Sequence, residues 1–298
     1  MSHGRLLNEE RISSRSLGGH RTVRLYLPPS YGLESKRRYP VLYLHDGQNV
    51  FSSAGSNACF GWGHWALDRT VDELCAAGRM REIIMVAVDH SRSRYSEYRG
   101  PGASQLKPGR GKRASSSSSA PSRFDLYANF LIRELKPKID REYRTLKAPA
   151  HTGLLGSSLG GIASIALAWE HAKTFGLAAS LSGSFEIEKR AFLDHSLRAH
   201  HARRKPLRLY LDSGVIDYTG DDDGRKDTEA VASEFRRIGW KDGVNLQHFV
   251  ETRPMTEAEL ARTDLPRDKW PEALISQHNE FYWRHRAWRA LTFLFPPR

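Results

Sequence analysis

The chain has 298 residues, 39% of them hydrophobic, and its 46 basic and 34 acidic side chains leave a formal net charge of +12. Seven Trp and twelve Phe provide apolar bulk for a large core, which excludes wholesale disorder. No apolar run approaches the ~20 residues needed to span a bilayer, and charges between Met1 and Arg11 stand where a signal peptide needs an apolar stretch. The expectation is a soluble, cytoplasmic protein with no membrane partner. Cys59 and Cys75 are too few for a disulfide scaffold and lie in no zinc-ligand spacing, so no metal is expected. Basic residues concentrate in two patches, Lys107, Arg110, Lys112, Arg113 and Arg123, and Arg198, Arg203, Arg204, Lys205 and Arg208. Neither patch interleaves aromatic residues or matches a nucleic-acid module, so a basic surface is preferred to a nucleic-acid site.

In chain order, short β-rich runs alternate with amphipathic stretches, the signature of an α/β fold with a mostly parallel sheet between helices. Strands are expected at Thr22–Leu27, Val41–Leu44, Ile83–Val88, His151–Leu155, Leu177–Leu181, Leu207–Leu211 and Leu246–Val250. Ile83–Val88 is continuously apolar, as a strand covered on both faces should be. Thr22–Leu27 alternates and ends at Pro28-Pro29, which suits an outer antiparallel strand. Helices are expected at Ala66–Ala77, Asp125–Tyr143, Ile162–Trp169, Asp227–Ile238 and Glu280–Phe293. Pro137 should kink or break the second of these, and Gly239 should stop the fourth. Gly100–Arg123, rich in Ser, Gly and Pro with five Lys or Arg and no acid or aromatic, reads as a mobile basic insertion (100–123). The alternation continues on both sides of it, so one domain over 1–298 is expected.

The sharpest local signal is Gly156-x-Ser158-x-Gly160, between an expected strand and a small-residue helix. This spacing puts a serine on a tight strand-to-helix turn, where side chains at Gly156 and Gly160 would collide. Ser157 is the nearest rival, but it falls off the apex of the turn. A serine hydroxyl needs a base to take its proton, and the base needs an orienting acid, here in the order Ser, Asp/Glu, His. Asp217, in the loop after Leu207–Leu211, is the preferred acid. Asp212 is the runner-up, and Asp221–Asp223 read as a solvated acidic turn. His278, after the last strand and before the closing helix, is the expected base, while His45, His64 and His90 also sit at strand ends. Two backbone amides should receive a developing oxyanion: Leu159, opening a helix, and Gln48, in the loop Leu44–Asn49 where Gly47 permits close approach.

These residues resemble a known family, the "putative esterase" branch of the α/β-hydrolases, with enterochelin, feruloyl and acetyl-xylan esterases and S-formylglutathione hydrolase (esterase D). The resemblance lies in Tyr39–Phe51, Gly61-Trp62 with Trp65–Asp68, Glu82–Asp89 with Arg94–Tyr98, and Thr152–Gly161. It continues through Leu211–Gly214 with Asp217 and His278–Glu280 with Trp283, so it covers the chain from about Thr22 to Phe295. It implies an α/β-hydrolase fold and a serine carboxylesterase with Ser158 as nucleophile, His278 as base and Asp217 as orienting acid. No organic cofactor or metal is implied. The basic insertion departs from the family, so substrate preference does not carry over.

Two functions remain open from the sequence. One is hydrolysis of a small ester, an anionic siderophore lactone or a cinnamoyl or acetyl ester, with the positive charge pointing toward the anionic ones. The other is a non-catalytic protein that keeps the fold and binds nucleic acid or another polyanion through its basic surface. The oligomeric state is not readable.

Overall fold

Apolar side chains on successive strand positions bury on opposite faces of one sheet, and this is why the central strands carry no polar alternation. In the computed structural model, which describes residues 3–101, 121–199 and 202–297, nine strands form that sheet. They are β1 (Arg5–Leu6), β2 (Glu10–Ser14), β3 (Gly19–Leu27), β4 (Val41–Leu44), β5 (Ile84–Val88), β6 (Thr152–Ser157), β7 (Leu177–Leu181), β8 (Arg208–Ser213) and β9 (Leu246–Val250). The order across the sheet is β1-β3-β5-β4-β6-β7-β8-β9, with β2 also paired to β3. All pairings from β5 through β9 are parallel, whereas β3 runs antiparallel to β1, β2 and β5. The seven predicted strands are therefore present, and β3 is antiparallel as its Pro28-Pro29 end suggested. Its outer edge is covered by β1 and β2, which the sequence reading did not anticipate.

Helices pack on both faces. On one side, Val41, Tyr43, Ile84, Val86 and Leu154 meet α2 (Arg94–Tyr98), α3 (Arg123–Asn129), α4 (Lys136–Glu142), α5 (Leu159–Glu170) and α6 (Arg225–Ile238). On the other, Leu42, Leu44, Met85 and Leu155 meet α1 (Leu67–Ala76) and α7 (Glu280–Leu294). The helix expected over Asp125–Tyr143 continues past Pro137 without a break, because α3 passes into α4 through a π-helical segment, Phe130–Leu135. Pro137 stands at the second position of α4, and the wider turn before it accommodates a residue that cannot donate a backbone hydrogen bond. Gly239 ends α6 in the left-handed region, as its position predicted. The basic insertion expected at 100–123 falls almost wholly on 102–120, outside the described residues. Among the described residues, no helix is long and apolar enough to cross a membrane.

Candidate active site

Strand β6 carries the chain to Ser158 and α5 carries it away, and the reversal needs an uncommon backbone. Ser158 has φ 52° and ψ −122°, a conformation that costs a non-glycine residue of order 1–3 kcal/mol. Neighbouring glycines make the turn possible. A methyl on Gly156 would lie 2.6 Å from the backbone of Gly160, and one on Gly161 would lie 2.5 Å from Ser180 Oγ. The Ser158 amide donates to the Leu181 carbonyl (3.0 Å), and its own carbonyl accepts from the amides of Gly161 and Ser184. The turn is thus tied to β7 and its following loop. Ser157 is buried at the end of β6, off the apex.

His278 is held from both sides. The buried Gln277 accepts from the Val215 amide (2.7 Å) and donates to the carbonyls of Glu251 and Arg253, while Asn279 caps α7 by accepting from the Tyr282 amide (3.1 Å). The imidazole is packed edge-on against Trp283 (ring centroids 5.0 Å apart) and contacts Tyr218 (6.2 Å). Its Nδ1 lies 2.6 Å from Asp223 Oδ1 and its Nε2 lies 3.0 Å from Ser158 Oγ. A carboxylate can only accept, so Nδ1–H donates to Asp223 and Nε2 is left to accept from the serine hydroxyl.

The carboxylate on His278 is therefore Asp223, which corrects the expectation for Asp217. Asp217 turns outward and accepts from Thr219 Oγ1 (2.6 Å) and the Thr219 and Asp221 amides. Asp212, the runner-up, is fully buried but faces Tyr210 Oη (2.9 Å) and Arg286, not His278. Of the three aspartates read as a solvated turn, Asp221 is exposed and Asp222 pairs with Lys226, but Asp223 is completely buried. Its Oδ2 accepts from the Gly214 amide and from Ser182 Oγ, both at 2.5 Å. Burial alone would push the Asp223 carboxyl up; the His278 contact, with Arg286 and Ser182, holds it below the usual carboxylate range instead. Burial pushes Asp212 up to about 6, against the opposing pull of Arg286.

Leu159 is the first residue of α5, so its amide has no acceptor within the helix. Gln48 lies in a single 3-10 turn, Gly47–Asn49, entered through Asp46 at φ 54°. A methyl on Gly47 would sit 2.6 Å from the backbone of Ala87, which pins this loop on β5. The same loop reaches the start of α5, where a methyl on Gly160 would lie 3.2 Å from His45 Cβ. Arg94 clamps Asp46 with two contacts, of 2.6 and 2.8 Å.

A cavity of about 350 Å3 opens on Ser158 and His278, and its wall includes Glu186, Asp217, Tyr218, Asp221, Asp222, Lys226 and Asp227. Of its five carboxylates, Asp222 pairs with Lys226 and Asp227 with Arg190, and the remaining three leave this wall acidic, although the whole chain is basic. His45, His64 and His90 do not line it. Burial lowers His45 to about 4, and its Nδ1 lies 2.9 Å from Tyr127 Oη. Among the described residues, no three His, Cys, Asp or Glu side chains are grouped as a metal ion would require. Asp223, with its partners Ser182 and Arg286, was not among the residues expected beside His278. The available signal for Asp223 was its place just before Gly224 and α6, where a chain returning to the sheet can turn a side chain inward.

The family model described as "Putative esterase" matches residues 14–290. The chain belongs to this family. It is 25% identical over 198 residues to the uncharacterized protein YbbA of Bacillus subtilis (strain 168), covering 64% of this chain and 68% of that one. Two solved structures have TM-scores of 0.65. One, a ferulic acid esterase, is 17% identical, and the match covers 98% of each chain. The other, the enterobactin esterase FES from Shigella flexneri, is 16% identical over 96% of this chain and 58% of that one. This esterase has the fold of those neighbours, a mostly parallel sheet between helices, and the family makes it a carboxylic ester hydrolase.

Proposed function

We propose that this esterase works through an acyl-enzyme formed on Ser158, with His278 as general base and Asp223, in place of the expected Asp217, as the orienting acid. The observation that carries this reading is the unbroken series from Ser158 Oγ through His278 to the buried Asp223, at 3.0 and 2.6 Å. As Ser158 attacks the ester carbonyl, Nε2 takes its proton, and Asp223 stabilises the resulting imidazolium without taking a proton itself. The carbonyl oxygen, now an oxyanion, is received by the amides of Leu159 and Gln48, the first of which adds the positive end of the α5 dipole. The imidazolium returns the proton to the departing alcohol. Water then enters by the same route and releases the acid, so the two steps together consume one ester and one water.

The acidic wall beside Ser158 supports an ester whose near end is uncharged, such as acetyl, over the anionic siderophore or acidic cinnamoyl esters that the net charge favoured. The alternative of a non-catalytic polyanion binder has no use for a hydroxyl, an imidazole and a buried carboxylate in hydrogen-bonded series, and part of the basic surface it would use lies at 102–120, outside the described residues. The test is steady-state turnover of p-nitrophenyl acetate by the wild type and by Ser158→Ala. A loss of about a thousandfold or more in kcat is expected, and equal rates would remove Ser158 from the mechanism.

A further inference from the structure

Behind the acid, away from the cavity, lies a group that the reaction scheme does not use. Arg286, on α7, is fully buried, as are Asp212 at the end of β8 and Asp223. Its Nη2 donates to Ser182 Oγ (2.6 Å) and lies 3.4 Å from Asp212 Oδ1, while Nη1 lies 3.6 Å from Asp223 Oδ2. Ser182 accepts also from Trp283 Nε1 (3.1 Å), and it spends its own proton on Asp223 Oδ2 (2.5 Å). The serine is thereby locked in the one orientation that donates to the acid.

We propose that Arg286 is a positioning residue for Asp223, and that Asp212 balances its charge. This rests on reading Ser158 and His278 as the catalytic pair. A buried guanidinium is costly to desolvate, and an apolar side chain of similar volume would often serve stability as well. The charge count gives the arrangement a use. Two carboxylates and one guanidinium leave a resting charge of −1 beside His278, and formation of the imidazolium brings the buried group to neutrality. With Asp212 alone the site would be too negative, and with Arg286 alone it would oppose protonation of the ring.

The groups facing Arg286 are Asp212 and Tyr210 from β8, Asp223 from the following loop, Glu251 after β9, and Tyr282 on its own helix. Those facing His278 are Asp223, Glu186, Glu280 and Tyr218. Removing Arg286 leaves the imidazolium beside Asp223, and beside Asp212 where that stays ionised, with no cation to offset them, and makes protonation of the ring easier. Removing the charge of Asp212 leaves Arg286 uncompensated and makes it harder. The two variants must therefore move the acid limb of the rate profile in opposite directions.

The experiment is kcat/KM for p-nitrophenyl acetate against pH for the wild type, Arg286→Met, Arg286→Lys and Asp212→Asn, with circular dichroism to confirm folding. Arg286→Met is expected to lose about tenfold or more in kcat with little change in KM, and to raise the acid limb by roughly half a pH unit or more. Asp212→Asn should lower the limb by a similar amount, read on the part of the limb above pH ~6, where Asp212 is more than half ionised. Arg286→Lys, which keeps the charge, should hold the limb near the wild-type position. Folded variants whose limbs stay in place, or move the same way, overturn the proposal. If Arg286→Met does not fold, Asp212→Asn decides alone: a downward shift supports it, and no shift or an upward one overturns it. Failure of the catalytic reading looks different, since Ser158→Ala would then match the wild type.

Discussion

A carboxylate reaches His278 from the loop after β8 only where the chain turns a side chain into the protein, and that loop has several candidates. Asp217, Asp221, Asp222 and Asp223 are chemically the same and lie within seven positions, so spacing cannot rank them. Burial ranks them: Asp223 is sealed against Gly214 and Ser182, while Asp217 faces outward and serves its own turn. The turn at Ser158 was legible because the glycines around it answer a steric demand that few other turns make, and the place of His278 beside it because the order of the elements left one histidine before the closing helix. The two aspartates can be separated by kinetics. Asp223→Asn should lower kcat on p-nitrophenyl acetate by about 10²- to 10⁴-fold, whereas Asp217→Asn should stay within about twofold. The reverse ranking would return the acid to Asp217.

At the scale of elements, the parallel strands were readable because burial on both faces forces continuous apolar runs, which turns or helices of that length rarely show. The outer pair, β1 and β2, were not. β1 has two residues, and in β2 only Ile12 and Ser14 are buried, so the pattern Glu-Arg-Ile-Ser-Ser carries little apolar signal. Pro137 misled in the other direction, because a π-helical segment upstream absorbs it, and nothing local in the sequence marks that segment. The elbow between β6 and α5 depends on the absence of side chains. Gly156→Ala must place a methyl 2.6 Å from the Gly160 backbone, so the strand or the helix has to shift. The expected cost is about 1–3 kcal/mol in urea denaturation, with activity lost to displacement of Ser158. A stability within a few tenths of wild type would mean that the turn is not close-packed.

Across the whole molecule, the net charge does not describe the local charge at the site. A net +12 suggested an anionic ligand, yet the wall beside Ser158 is acidic, since a total says nothing about where the charges lie. Stability against pH gives another global reading. His45 is buried at the start of the loop after β4 and, mainly through burial, keeps its proton only below about 4 when folded. In the unfolded chain it protonates near the ordinary value of ~6.5. Between these values the unfolded chain binds more protons, so this group's contribution to stability is intact above about 6.5, falls as pH drops toward about 4, and is then level. The loss from this residue is on the order of 3 kcal/mol. Urea unfolding at pH 4.5 and 7 should therefore show a smaller difference in His45→Asn than in the wild type. An equal difference in both would show that His45 is not held neutral by burial.

In the proposed mechanism one hydroxyl, at Ser158, is made nucleophilic by His278. A fluorophosphonate probe followed by mass mapping of the labelled peptide tests this without knowledge of the natural ester. Label is expected on Ser158 in the wild type, with loss of labelling in His278→Ala. Label on Ser157, Ser182 or the neighbouring Ser184, or labelling that persists at full rate without His278, would contradict it.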